Sequence, residues 1–173
     1  MRPPSRSERA VRVTTGLALG AGLILTGCSL LEPGSALQED LTTQRGAWES
    51  RGYTDYAYTM TVRCVCTGIV DVPTRVTVTN DAISALAFVS SGDSVPAEYH
   101  SWYLTIDDLF DAIQQAIDGK AQLISVTYHP DFHYPSRVVI DYSLIQVVEE
   151  VGYEISDFVP PGSTSSTMER VNE

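Results

Sequence analysis

Apolar and polar residues alternate from Asp55 to Thr67. Tyr56, Tyr58, Met60, Val62, Cys64 and Cys66 fall on one face, and Asp55, Thr59, Thr61, Arg63 and Thr67 fall mainly on the other. A period of two predicts a half-buried strand. Upstream, Leu37, Leu41 and Trp48 recur at spacings of four and seven, which predicts a short amphipathic helix over 37–50. Pro33 and Gly34 read as a breaker before it. Downstream, two β-rich runs, Arg75–Thr79 and Ala82–Ser90, are joined by Asn80 and Asp81. Both linking residues tolerate positive φ, so the pair predicts a hairpin.

The second half repeats the alternation of periods. A polar connection over 90–103 carries Gly92 and Pro96. Thr105 then stands where a helix cap belongs, with Asp107 and Asp108 in the first turn, complementing the positive end of the dipole. Ile106, Leu109, Phe110, Ile113 and Ile117 form one stripe, and Gly119 ends the helix with Lys120 beside its negative end. Strands are predicted over 122–128, 136–142 and 151–159, the first two linked by a turn between Pro130 and Pro135. The order is helix, three strands, helix, three strands. It predicts an α+β domain, an antiparallel β-sheet with helices packed on one face.

The first 27 residues follow different rules. Arg2, Arg6, Arg9 and Arg12 precede an apolar run from Val13 to about Thr26. At roughly 14 residues that run is too short for a helix to cross a bilayer core of about 30 Å. The pattern reads as a secretory signal, residues 1–27. Leu25, Thr26, Gly27 and Cys28 at its end resemble the lipobox of bacterial lipoproteins. That resemblance implies cleavage after Gly27 and a diacylglyceryl thioether on Cys28, the lipid anchor. Two or more acyl chains suffice for stable anchoring where one is marginal. The expected organisation is therefore signal peptide 1–27, lipidated tether 28–36, a single domain over 37–159, and a tail over 160–173 with no apolar period.

Charge narrows the partners. Removing the leader's four Arg and one Glu from the chain's 11 basic and 22 acidic residues leaves seven and 21, a formal charge of −14. A nucleic-acid footprint needs the opposite sign, so no nucleic-acid partner is expected. Anionic lipid headgroups also repel such a domain, which limits membrane contact to the N-terminal lipid. A basic protein partner, a cationic ligand or a divalent metal stays electrostatically permitted.

Few residues are arranged for chemistry. With Cys28 taken by lipid, Cys64 and Cys66 are the remaining thiols, in an oxidising compartment, and a disulfide is the first reading. In a flat strand their Cα atoms lie about 6.6 Å apart, at the edge of what a bridge spans, so a Cys64–Cys66 bond needs a bulge or bend. Gly68 offers a place for one. Other readings are two reduced cysteines packed as small hydrophobes, a Cu(I) site with Met60 on the same face, and a redox pair. His129, Asp131 and His133 could hold zinc with His100 as a distant fourth ligand, or simply form a polar turn. Asp107, Asp108, Asp111 and Asp118 read as a solvated helix face, since no calcium loop surrounds them. No nucleophile elbow and no phosphate-cradling glycine loop is present.

The mature domain resembles the DUF6174 type of uncharacterised bacterial lipoprotein. The resemblance rests on Trp48, Tyr56 and Tyr58, the Cys64 and Cys66 pair, Arg75–Val78, Thr105–Phe110, Val126–Tyr128, Tyr134 with Pro135, and Ile140 with Asp141. It covers about 44–159. Where the family pattern has Tyr-Asp before the turn and Gly before Tyr-Pro, this chain has His129 and His133. The resemblance implies a lipoprotein with paired cysteines and no established catalysis or cofactor. The expectation is a non-enzymatic, cofactor-free domain held outside the cytoplasm on the cell or outer membrane, binding or scaffolding an envelope protein. The alternative is handling of Cu(I) or Zn by the Cys-x-Cys strand or the His-x-Asp-x-His loop.

Overall fold

A computed structural model describes residues 33–64, 71–143 and 150–163. In chain order the elements are α1 (Pro33–Glu49), β1 (Tyr56–Cys64), β2 (Thr74–Thr79), β3 (Ala82–Phe88), a 3₁₀ turn (Ala97–Trp102), α2 (Ile106–Asp118), β4 (Leu123–Tyr128), β5 (Pro135–Asp141) and β6 (Glu150–Val159). The fold is α+β. All strand pairings are antiparallel, and the order β3-β2-β1-β6-β5-β4 makes one open six-stranded sheet among the described residues. Each half of the chain contributes a meander. Pairing of β1 with β6, which sets Met60 opposite Ile155 and Val62 opposite Tyr153, fuses the two halves at the centre.

The predicted alternation of β1 is realised. Tyr56, Tyr58, Met60 and Val62 are buried toward the helices, and Arg63 on the other face is exposed. Asn80 and Asp81 take φ values of 51° and 61°, the two positive values of a type I′ hairpin. At α2 the cap is complete. Thr105 Oγ1 accepts from the Asp108 amide at 3.1 Å, and the Thr105 amide donates to Asp108 Oδ2 at 3.1 Å. The buried stripe is Ile106, Leu109, Phe110, Ile113 and Ala116; Ile117 lies only partly inside.

One expectation about helix ends is corrected, whereas Gly119 does end α2 as its cap. Pro33 and Gly34 do not break α1 but begin it. Proline is well tolerated in a first helical turn, where its missing N–H has no intrahelical acceptor to lose. At the other helix, Gly119 has φ −75°, and Lys120 takes the left-handed position at φ 55°. The Ala121 amide donates to Ala116 C=O and the Lys120 amide to Ile117 C=O, both at 3.0 Å, the two bonds of a Schellman closure.

α1 and α2 lie together over the sheet. Gln38 and Gln114 exchange amide hydrogen bonds at 2.8 and 2.9 Å, and Arg45 bonds Asp111 at 2.7 Å. Tyrosine hydroxyls tie the start of α2 to strands β1 and β2. Tyr58 OH donates to Leu104 C=O, Tyr56 OH accepts from the Ile106 amide at 3.2 Å, and Tyr103 OH meets Thr74 Oγ1 at 2.9 Å. These three tyrosine hydroxyls are paired, as burial requires, whereas the buried Tyr128 hydroxyl has no hydrogen-bond partner among the described residues.

Candidate functional site

The end of α1, the β2–β3 turn and the first turn of α2 meet at one corner of the domain. Between them lies a cleft of about 330 Å³ lined by Trp48, Glu49, Tyr53, Thr54, Asp81, Thr105, Asp107 and Asp108. The Asp81 amide donates to Thr54 C=O at 3.0 Å, which holds the hairpin turn against the chain leaving α1. Trp48 Nε1 donates to Asp107 Oδ1 at 3.3 Å. Asp108 is committed to the Thr105 cap. One wall is aromatic: Trp48 packs edge-on against Tyr53, Tyr56 and Phe158 at 5.7, 5.4 and 5.6 Å.

Four carboxylates and no basic side chain line this cleft. Burial pushes the Asp107 carboxyl above its ordinary range, with Asp81 and Glu49 adding repulsion; the Trp48 N–H and Arg45 partly offset this. A cationic group entering the cleft would relieve that repulsion beside its aromatic wall. Sequence reasoning placed Asp107 and Asp108 at a helix start but missed their neighbours. Trp48 and Asp81 arrive from elements distant in the chain, and no local spacing announces them.

The cysteine end of β1 lies at a different corner. Cys64 closes the strand opposite Val151 and is half-buried. Val62, Ser101, Trp102, Val151 and Tyr153 surround it on one side, and Arg63, Asp71 and Glu150 on the other. The Asp71 amide donates to Val62 C=O at 3.0 Å, which sets residue 71 beside the end of the strand. Cys66 and Cys28 lie outside the described residues. Met60 shares the helix-facing side with Cys64 but is completely buried.

The His129–His133 loop is built as a turn. His129 Nδ1 accepts from the amides of Asp131 at 3.2 Å and Phe132 at 3.3 Å, and its ring packs on Tyr134 at 5.0 Å. His133, at φ 67°, uses Nδ1 to meet Gln44 Oε1 of α1 at 2.9 Å. Arg51 stacks on Phe132 at 5.2 Å and donates to Asp131 C=O. His100 is engaged elsewhere, its Nε2 at 2.9 Å from Val95 C=O. The imidazoles are thus drawn toward separate partners, and among the described residues no group of three or more His, Cys, Asp or Glu is placed to hold a metal. On α2, Asp111 bonds Arg45 and Asp118 accepts from Gln114 at 3.0 Å.

Residues 40–160 match the family described as "Family of unknown function (DUF6174)". The chain belongs to the DUF6174 family. No curated protein and no solved structure matches it. Of the residues that carried the resemblance, Trp48, Tyr56, Tyr58, Ile106, Leu109, Phe110, Tyr134 and Ile140 are all buried here, and Thr105 with Asp108 forms the helix cap. That part of the DUF6174 pattern describes how the domain is packed. Among the described residues no helix is long and apolar enough to cross a membrane.

Proposed function

We propose that this DUF6174 protein is a lipid-anchored domain of the cell envelope that binds a basic segment of another protein and performs no catalysis. The observation that carries the reading is the acidic cleft against Trp48 and Tyr53, lined by four carboxylates and no basic side chain; Glu49 is paired from outside the cleft by Arg45 at 2.8 Å, which leaves Asp81 and Asp107 as its uncompensated charges. Support for the anchor comes from the leader and from Leu25–Cys28 in the sequence. Cys64 and Cys66 enter the same proposal as a disulfide that fixes the bend where β1 ends. The position of Asp71 beside Val62 supports a bend at that place. The test is cross-linking in detergent-solubilised envelope, comparing the wild type with Asp81→Asn/Asp107→Asn. A partner whose Lys or Arg residues cross-link to the cleft, and which the variant loses, is the expected result. No reproducible partner, or one retained in full by the variant, sinks the proposal.

Metal handling is the alternative proposal. It draws on the soft ligands of the Cys-x-Cys strand and on His129 and His133. The geometry favours it less, because Met60 is buried and both imidazoles of the loop have protein partners.

A further inference from the structure

An open sheet has two edges, and this one treats them differently. The outer edge of β3 is occupied by the chain itself: the Val95 amide donates to Leu86 C=O at 3.1 Å, the Phe88 amide to Asp93 C=O at 2.9 Å, and Ala87 bridges Ser94. At the other end of the sheet, nothing among the described residues pairs with the outer edge of β4. Natural edges are usually guarded by charge, proline, bulges or a covering segment. The β4 sequence, Leu-Ile-Ser-Val-Thr-Tyr, has no charge and no proline, and its one irregularity sits at the far end, at Thr127 and Tyr128. Leu123, 43% exposed, stands on its open face.

The same edge borders an apolar groove. Gly34 and Leu37 of α1, Ile117 at the end of α2, Ala121 and Ile124 line a space of about 410 Å³ beside β4, with Lys120 at its margin. A strand added to β4 would set its helix-facing side chains over this groove. From these two features we infer that β4 pairs antiparallel with β4 of a second copy of this chain, making a continuous twelve-stranded sheet.

The strand is self-complementary in one register. With Ser125 opposite Ser125 of the second copy, Ile124 meets Val126 on the helix side, and Leu123 meets Thr127 on the open side. Both are apolar or β-branched cross-strand pairs of the kind that stabilise sheets. Each groove then lies beside the Val126 end of the other copy's strand, and Ile124 and Val126, half-exposed in one copy, become covered. Charge agrees with the pairing. Antiparallel alignment brings Lys120, just before β4, to the β4–β5 turn of the other copy, where Asp131 is exposed. The chain is acidic throughout, and this edge is a place where one copy offers a cation to the other's carboxylate. A two-fold isologous contact of this type closes on itself and does not propagate.

The test uses the full chain in detergent. Light scattering corrected for detergent should give twice the chain mass, and Leu123→Lys should return it to the single-chain mass with an unchanged unfolding temperature for the exposed position. Ser125→Cys, whose two thiols would face each other at the dyad, should give a covalent dimer on mild oxidation, mapped by peptide mass to position 125. Leu123→Cys is the register control, because its opposite residue is Thr127, and it should cross-link several-fold less. A single-chain mass for the wild type at its highest soluble concentration would overturn the inference. So would cross-linking of Ser125→Cys no greater than that of Leu123→Cys.

Discussion

Trp48 Nε1 donates to Asp107 Oδ1 across 3.3 Å, and through that bond the last turn of α1 holds the first turn of α2. The indole is 2% exposed and edge-packed against four rings. Replacing it with Phe keeps an aromatic body but leaves a half-buried carboxylate without that donor. Trp48→Phe should lower stability by about 1–3 kcal/mol, the usual cost of stranding a buried polar group. Urea unfolding of Trp48→Phe, Asp107→Asn and the double variant forms a cycle. A coupling energy near zero would mean that the bond contributes nothing.

Thr105 is the second hinge between sequence and packing. Its hydroxyl accepts from the Asp108 amide, so Thr105→Ala removes that half of the box, while the backbone amide of residue 105 can still donate to Asp108 Oδ2. The expected loss is about 1 kcal/mol, recovered largely by Thr105→Ser, which restores the acceptor. Thermal unfolding of the two variants side by side checks this; equal stability would place the cap's contribution below detection.

Gly46 inside α1 and Gly119 at the end of α2 should respond in opposite directions. Gly46 lies exposed within α1 with nothing near the position of an added Cβ, so Gly46→Ala should stabilise by about 0.5–1 kcal/mol through reduced chain entropy. At Gly119 an added Cβ would come within 3.0 Å of Gln115 C=O and 3.4 Å of the Tyr142 ring. Gly119→Ala should therefore destabilise, on the order of 1 kcal/mol or more, the scale of overpacking. Denaturant midpoints of both variants decide it, and a stabilising Gly119→Ala would show that the helix end yields freely.

What was legible in the chain was whatever a local period or a short-range signal encodes. The alternation from Tyr56 to Cys64, the positive-φ pair Asn80 and Asp81, and the Thr105 cap each depend on neighbours within a few residues, and each is found as read. The joining of β1 to β6 depends on residues about ninety positions apart, and nothing local specifies it. The cleft is illegible for the same reason, since Trp48, Asp81 and Asp107 meet only after the sheet forms. Gly119 caps α2 as read, but not for the usual reason. Glycine near a helix end suggests the left-handed residue, but here its smallness makes room for Tyr142 while Lys120 bears the positive φ.

Asp107 should leave a mark on the pH dependence of stability. Burial raises its folded value above the ordinary 3.8, so the folded protein holds this proton more firmly than the unfolded chain. Its contribution to stability therefore rises as pH falls from the folded value toward 3.8, opposite in sign to a salt-bridged carboxylate. Above the folded value the cost of the buried charge is present in full. Asp107→Asn should be more stable than the wild type at pH 7, with a difference that shrinks as pH falls through the folded value toward 3.8. A difference that is constant across pH 3.5–7 would show that ionisation is not its source.

Metal content separates the two functional proposals. Met60 is completely buried, His129 Nδ1 accepts two backbone amides, and His133 Nδ1 meets Gln44, so binding Cu(I) or Zn would require these groups to leave their partners. The full chain purified without chelator should carry far less than one equivalent of either metal by elemental analysis. Stoichiometric copper or zinc would replace protein binding as the preferred reading.

Intact mass with thiol alkylation, under non-reducing conditions, tests the envelope assignment and the cysteines in one measurement. The proposal expects loss of residues 1–27, an added diacylglyceryl group on Cys28, and Cys64 and Cys66 both resistant to alkylation until reduced. A bridge closing so small a loop constrains little of the unfolded chain, on the order of 1–2 kcal/mol by the loop-entropy relation. Reduction should therefore lower the unfolding temperature only modestly and leave the fold in place. Full alkylation of both thiols in freshly isolated envelope would remove the disulfide from the proposal, and an unprocessed, unlipidated N-terminus would remove the anchor, each without touching the other.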